Sequence, residues 1–271
     1  MSTKSLLSKN IVLFIFMCLP FLSFAQDRLF TYTYQSTVLN KGQRELEVWN
    51  TLRTGRDDFY ARFDHRTEFE IGLGGRLQTA FYLNLTSKTK TNEELGIKST
   101  STENEISFSN EFKFKLLDPV ANPVGLALYG EYGIGSNEYE LEGKLILDKK
   151  FNNFTVAANA VYEMEFAPAY DDNKLDWGKE NKLEYYLAFA YGLSSKFHIS
   201  LENAFKNVYV KKELEHSALF SGLGFSYMND NFWVNFTVMP QLKSFKGETD
   251  NNLNLNEYEK VQLRLLFSYV F

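Results

Sequence analysis

Along this chain apolar and polar residues alternate one by one, the period of a β-strand whose two faces meet different surroundings. In residues 61–72, Phe63, Thr67, Phe69 and Ile71 share one parity, and Arg62, Asp64, Arg66, Glu68 and Glu70 share the other. Leu77, Thr79, Phe81, Leu83 and Leu85 then oppose Arg76, Gln78, Tyr82 and Asn84. Ile106, Phe108, Phe112 and Phe114 oppose Glu105, Ser107, Ser109, Glu111, Lys113 and Lys115. The same pattern recurs through 124–134, 139–147, 154–166, 183–193, 197–201, 219–227, 232–238 and 261–271. With an opening segment carrying Leu46, Val48 and Leu52, this predicts about twelve strands.

Strands of roughly nine residues or more suit a tilted crossing of a bilayer, whereas those of soluble proteins average about five or six. A soluble sandwich would alternate in the same way, so the links must arbitrate. Tight links at 72–75, 148–153, 194–196 and 228–231 take turns with longer polar ones at 87–102, 167–180, 207–217 and 244–256. The longer link at 117–123 and the short one near Ser136 are exceptions. Short periplasmic turns and longer outer loops are the expectation for an outer-membrane barrel. In lipid an open sheet edge leaves backbone groups without partners, so the sheet must close. The fold class expected is therefore all-β, a transmembrane antiparallel up-and-down β-barrel of about twelve strands.

Aromatic residues gather where the rims would lie. Phe151, Phe154, Phe197, Tyr227, Phe232 and Tyr269 mark one rim, and Tyr60, Tyr132, Tyr139 and Phe166 the other, as in interfacial girdles. The last strand ends in Phe267, Tyr269 and Phe271. A terminal aromatic after such alternation resembles the signal read by the outer-membrane assembly machinery, which makes Tyr269 and Phe271 candidate assembly residues. The 25 Phe and 16 Tyr of the 271 residues agree with a strand-rich chain.

Residues 1–25 read as a secretory signal peptide: Lys4 and Lys9, an apolar run over 11–22, then Ser23-Phe24-Ala25 before the cut. An uncleaved anchor is the competing reading, but the apolar run is short of the ~20 residues a spanning helix needs. The barrel is then expected over 26–271, in the outer membrane of a Gram-negative bacterium. Its expected partners are outer-membrane lipid and lipopolysaccharide, the assembly machinery and a small-molecule solute. The one cysteine, Cys18, falls in the leader, so the mature chain lacks a thiol nucleophile. A net charge of −5 without a dense basic run speaks against nucleic acid.

The polar parity carries whatever chemistry the interior has. Candidate lumen-lining residues are Glu45, Glu47, Arg62, Arg66, Glu68, Glu70, Arg76 and Arg264. A first hairpin centred near residues 56 and 57 would set Glu47 opposite Arg66, and closure of the last strand on the first would add Arg264. The expectation is an ion-pair ladder narrowing the pore; the plainer alternative is that these charges solvate a wet interior. The mature chain's histidines are His65, His198 and His216, none with an obvious serine partner, and Gly-x-Ser-x-Gly and zinc motifs are missing. Glu163, Glu165 and Glu202 are inward carboxylates that could form the acid–base pair of a lipid- or peptide-processing enzyme, yet acidic lumen residues are commonplace. Asp171, Asp172 and Asp176 with Glu180 read as a solvated acidic loop rather than a calcium loop. Catalytic, cofactor-binding and metal-binding residues are therefore not expected, and the chain reads as no enzyme.

Two stretches carry a family resemblance: Val38-Leu39-Asn40-Lys41-Gly42-Gln43-Arg44-Glu45-Leu46-Glu47 and Thr67-Glu68-Phe69-Glu70-Ile71-Gly72-Leu73-Gly74-Gly75-Arg76-Leu77-Gln78. They resemble outer-membrane barrels that group loosely with the transporter-like proteins of meta-pathway phenol degradation. That family often has Pro where this chain has Asn40, and Thr-Asp at Gly74-Gly75. The match is close over the first third and holds elsewhere by pattern. It implies an outer-membrane protein passing small or hydrophobic solutes and carries no catalytic residues. The leader's Ala25-Gln26 end and the Asn/Lys-rich, Phe/Tyr-rich composition are similar to those of Bacteroidetes-type bacteria. The expected function is a small-solute channel; the alternative is a plugged structural or surface-interaction barrel acting through its outer loops.

Overall fold

In a computed structural model the structure is described for residues 28–136, 138–171, 174–247 and 252–271. The leader expected over 1–25 lies outside the described residues. The strands are β1 (Arg44–Thr54), β2 (Tyr60–Gly74), β3 (Leu77–Glu94), β4 (Ile97–Leu117), β5 (Gly125–Gly135) and β6 (Tyr139–Phe151). They continue with β7 (Phe154–Asp171), β8 (Lys174–Gly192), β9 (Phe197–Val210), β10 (Glu213–Met228), β11 (Phe232–Lys246) and β12 (Val261–Val270). Each strand pairs antiparallel with the next, and β12 closes on β1 from Glu45↔Val270 to Thr54↔Val261, giving a closed barrel of twelve strands. The expected fold class is the observed one.

Burial runs opposite to that of a soluble protein. Phe63, Phe81, Phe108, Leu128, Phe197 and Phe267 stand exposed on the outer face, while Glu68, Gln78, Glu111, Glu202 and Ser268 are buried within. This is the distribution a lipid-facing wall requires. The rim at which β1 begins and β12 ends, called the near rim, carries an aromatic belt. Phe197 meets Tyr227 at 4.9 Å, Tyr227 meets Phe232 at 5.8 Å, and Phe232 meets Phe267 at 6.2 Å.

Three of the long polar links are strand, not loop. The β3–β4 ladder continues to Glu94↔Ile97, β7–β8 to Asp171↔Lys174, and β9–β10 to Val210↔Glu213. The first of these turns on Leu95 and Gly96, both at positive φ. Beyond a bilayer both faces of a strand meet water, so alternation fades while the backbone ladder persists. After β11 the described residues 252–260 are irregular and fold back against that strand, the Gln241 N–H donating to Lys260 O at 2.9 Å.

β1 covers the expected opening segment at Leu46, Val48 and Leu52. Residues 38–43 form a turn, with Gly42 at φ 80°. The Gly42 N–H donates to Gly72 O at 2.8 Å and the Gly72 N–H to Gln43 O at 3.0 Å. A Cβ at Gly72 would stand 2.0 Å from Asn40 O. Glycine there lets the chain pass from the interior into the wall. Residues 28–39, which precede that passage, lie inside the barrel.

Candidate functional site

Residues 28–39 take no place in the sheet, so their backbone groups need partners from elsewhere. Side chains of the wall supply them. Asn235 donates to Arg28 O at 2.8 Å and Ser226 to Leu29 O at 2.9 Å, both close to the near rim. Deeper in, Glu202 accepts the N–H groups of Thr31, Tyr32 and Thr33 at 2.9, 2.8 and 3.0 Å. Asn159 clamps Tyr34, accepting its N–H at 2.6 Å and donating to its carbonyl at 3.0 Å. Asp148 then takes the Ser36 N–H at 3.1 Å, and Gln78, beside the near rim, takes the Leu39 N–H at 2.9 Å. The segment is thus an arch that rises from the near rim beside β10 and β11, reaches its apex at Glu202, and descends along β7 and β6 to β3. The Gln35 side chain ties its two limbs, accepting the Leu29 N–H at 2.9 Å.

Apolar packing fills the arch. Phe30 is fully buried among Leu29, Trp49, Trp233, Ala157 and Ala188. Small inward residues such as Ala127, Ala157, Ala188 and Ala204 leave the room these rings occupy. Tyr32 joins a second cluster with Phe220, Met239 and Tyr258. Tyr258 belongs to the far loop and meets Phe220 and His216 edge-on at 5.7 and 4.9 Å. Gln241 accepts the Asn254 N–H at 2.7 Å and holds that loop inward. The arch and the far loop therefore meet through one cluster on the β9–β12 side.

The opposite wall stays polar and partly wet. Arg66 reaches Glu131 at 3.4 Å, Lys144 pairs with Glu142 at 2.7 Å, and Lys182 with Glu163 at 2.7 Å. Glu165 completes the Lys182 pair from the same strand. Exposure of the carboxylates of this wall rises toward the far rim, from 2% at Glu131 to 21% at Glu165 and 37% at Glu180.

The structure places the expected lumen residues as follows. Glu45, Glu47, Glu68 and Glu70 are buried inside the near half. Arg62 is inward and donates to Asp64 at 2.6 Å. Glu47 does not face Arg66: the register pairs Glu47 with Glu68 and Trp49 with Arg66. The hairpin is centred between residues 57 and 58, and a centre displaced by one residue moves every partner by two while preserving its face. Glu47 instead pairs with Arg28 of the arch at 3.2 Å. Arg264 donates to Thr51 at 2.9 Å and to Thr31 O at 3.3 Å, its guanidinium 3.9 Å from the centre of the Tyr32 ring. The expected Glu47–Arg66–Arg264 ladder is absent among the described residues. Arg76 is not in the lumen either. It is exposed at the near-rim turn, donating to Leu116 O at 2.8 Å, because β3 starts only at Leu77.

His65 lies on the outward parity, 2.9 Å from Asn50 Oδ1. Tyr269 is exposed on the outer face, stacked on Phe271 at 6.3 Å. Asp172 lies outside the described residues, as do the side chains of Asp171 and Asp176. Missed altogether by sequence reasoning was the arch itself, along with Glu202 as its receptor. Its available signal was the alternation of Phe30, Tyr32 and Tyr34 with Thr31 and Thr33, ahead of a glycine turn and outside the strand count.

Residues 22–271 match a family model described as a family of unknown function, DUF6662. No curated protein matches the chain. Among solved structures the chain is similar to the COG4313 outer membrane channel from Pseudomonas putida F1, at 10% identity and a TM-score of 0.60, covering 90% of this chain and 100% of that one. The translocator domain of autotransporter NalP from Neisseria meningitidis is 10% identical with a TM-score of 0.56, covering 87% and 91%. The NanC porin is 12% identical with a TM-score of 0.50, covering 83% and 98%. At such identities the likeness is one of fold, that of outer-membrane barrels.

Proposed function

The chain belongs to the DUF6662 family, and we propose that it is an outer-membrane channel for small solutes whose lumen is gated by its own N-terminal arch. One observation carries this reading: the arch is held by side chains and contributes nothing to the ladder, so its withdrawal breaks no hydrogen bond between wall strands. Both its limbs leave toward the near rim, which in this reading faces the periplasm. Withdrawal in that direction would join the wet β5–β8 wall to a continuous passage. The fold likeness to an outer membrane channel supports the reading. Outer-membrane lipid and lipopolysaccharide surround the wall, and the assembly machinery reads Tyr269 and Phe271. The resemblance to phenol-degradation transporter-like proteins adds small or hydrophobic solutes as the class to try first.

The depth of Phe30, buried to 0%, favours a second reading, in which the plug is permanent and the tall β3–β4 and β7–β8 hairpins do the work outside the cell. Planar-bilayer recording separates the two. Discrete, solute-blockable steps from the refolded mature protein, larger when residues 28–38 are deleted, support the gated channel. Silence from both proteins, each shown folded by heat-modifiable mobility, supports the permanent plug.

A further inference from the structure

Beside the foot of the arch, β1 and β2 bring carboxylates face to face. Their register sets Glu45 against Glu70 and Glu47 against Glu68, like charge opposite like charge. Carboxylate oxygens of Glu45, Glu47 and Glu70 lie within 4.8 Å of one another, and so do those of Glu68, Glu70 and Glu111. All are buried. Two cations face the group: Arg28, bridged to Glu47, and Lys113, buried on β4. Arg66 is engaged with Glu131. Neutral donors serve some of the oxygens: Trp233 and Ser268 on Glu45, Trp49 on Glu47, Gln78 on Glu70, and Tyr82 on Glu111.

Glu68 is the independent sign of a ligand. It is 0% exposed, it points at Glu70 and Glu111, and neither of its carboxylate oxygens has a hydrogen-bond partner. Oε2 of Glu45 is likewise unpartnered. A buried carboxylate without a partner is among the most costly groups a fold can hold. We propose that this cluster is a binding site for a hard divalent cation, calcium before magnesium, held by the triad of Glu68, Glu70 and Glu111, with Glu45 and Glu47 adjoining it through Glu70. An all-oxygen, carboxylate-rich donor set without imidazole or thiolate suits calcium rather than zinc or copper. Oxygens across a calcium ion stand about 5 Å apart, given metal–oxygen bonds of about 2.3–2.6 Å, and the oxygens of each triad lie within 4.8 Å of one another, close enough to share one ion. The bound ion fixes Glu70, which shares the adjoining triad with Glu47, the partner of Arg28 at the foot of the arch. The site stands whether or not the barrel conducts.

The test uses the refolded mature protein in lipopolysaccharide-free detergent, stripped with a chelator, re-equilibrated with calcium and desalted. Bound metal is counted by mass spectrometry, and terbium luminescence is read on excitation of tryptophan. Trp49 and Trp233 each donate to a cluster carboxylate, at 2.7 and 2.8 Å, so they are placed to sensitise a bound ion. Expected are one retained calcium per chain and a terbium signal displaced by calcium. In Glu68→Gln both should weaken about tenfold or more through loss of a charged ligand. Glu103→Gln, at an exposed carboxylate on the far hairpin, should leave both unchanged. If Glu68→Gln fails to fold, Glu111→Gln takes its place and should weaken both in the same way. Failure of the wild type to retain calcium, or equal retention by folded Glu68→Gln, overturns the proposal and leaves shared protons as the neutralising agent.

Discussion

Glu202 and Tyr32 are joined at the apex of the arch, the Tyr32 N–H donating to Glu202 Oε2 at 2.8 Å. The same carboxylate takes the flanking Thr31 and Thr33 N–H groups and the Thr31 and Thr237 hydroxyls. One side chain of β9 thus satisfies most of the polar demand at the deepest point of a segment that has no strand to lean on.

Replacing Glu202 with Ala should release the arch while leaving the wall intact. Each buried N–H left without an acceptor costs about 1–3 kcal/mol. Hydrogen exchange at residues 31–33 should accelerate and conductance should rise, with heat-modifiable mobility unchanged. Unaltered protection at those amides would mean that apolar packing alone holds the arch.

Arg28 and Glu47 form a pair whose members are 7% and 2% exposed. Removing one partner of such a buried pair typically costs about 3–5 kcal/mol, because the other charge is stranded. Arg28→Met should therefore lower the thermal midpoint more than the double variant Arg28→Met/Glu47→Gln does. A thermal-melt cycle with additive losses would show the pair to be uncoupled.

At Gly72 any side chain would meet Asn40 O at 2.0 Å. Gly72→Val should thus displace the turn at 40–43 and disorder the foot of the arch. The expected readout is protease cleavage within 28–43, with the barrel itself resistant. A variant as resistant as the wild type would show that the passage has slack.

The exposed terminal pair Tyr269 and Phe271 makes little of the interior. Removing Phe271 should reduce the amount of barrel reaching the outer membrane in cells several-fold, yet leave detergent refolding of the purified chain nearly unchanged. Equal loss in both settings would assign Phe271 to stability rather than assembly.

The wall was legible in the sequence because one physical rule writes it residue by residue. Lipid on one side and polar surroundings on the other force the alternation that Phe63, Phe69 and Phe81 share against Arg66, Glu68 and Gln78. Strand number, closure and facing all follow from that local rule. The ends of the tall hairpins escaped it, since Thr89 and Thr102 pair across a ladder with water on both faces. Partners within the lumen escaped it too. Parity says that Glu47 points inward, but only the turn at 55–59 decides that it faces Glu68.

The arch lay furthest from sequence logic. Thr31 and Tyr32 read like any strand, and their location depends on Glu202, 171 and 170 residues away. The sequence by itself determined a barrel, which face of each strand meets lipid, and where its rims lie, all of them consequences of near-neighbour periodicity. Only the tertiary structure decided that an arch stands within the lumen, and that two carboxylate triads meet at Glu70. Those outcomes rest on closing the sheet, which brings residues distant in the chain to a common interior that no local pattern encodes.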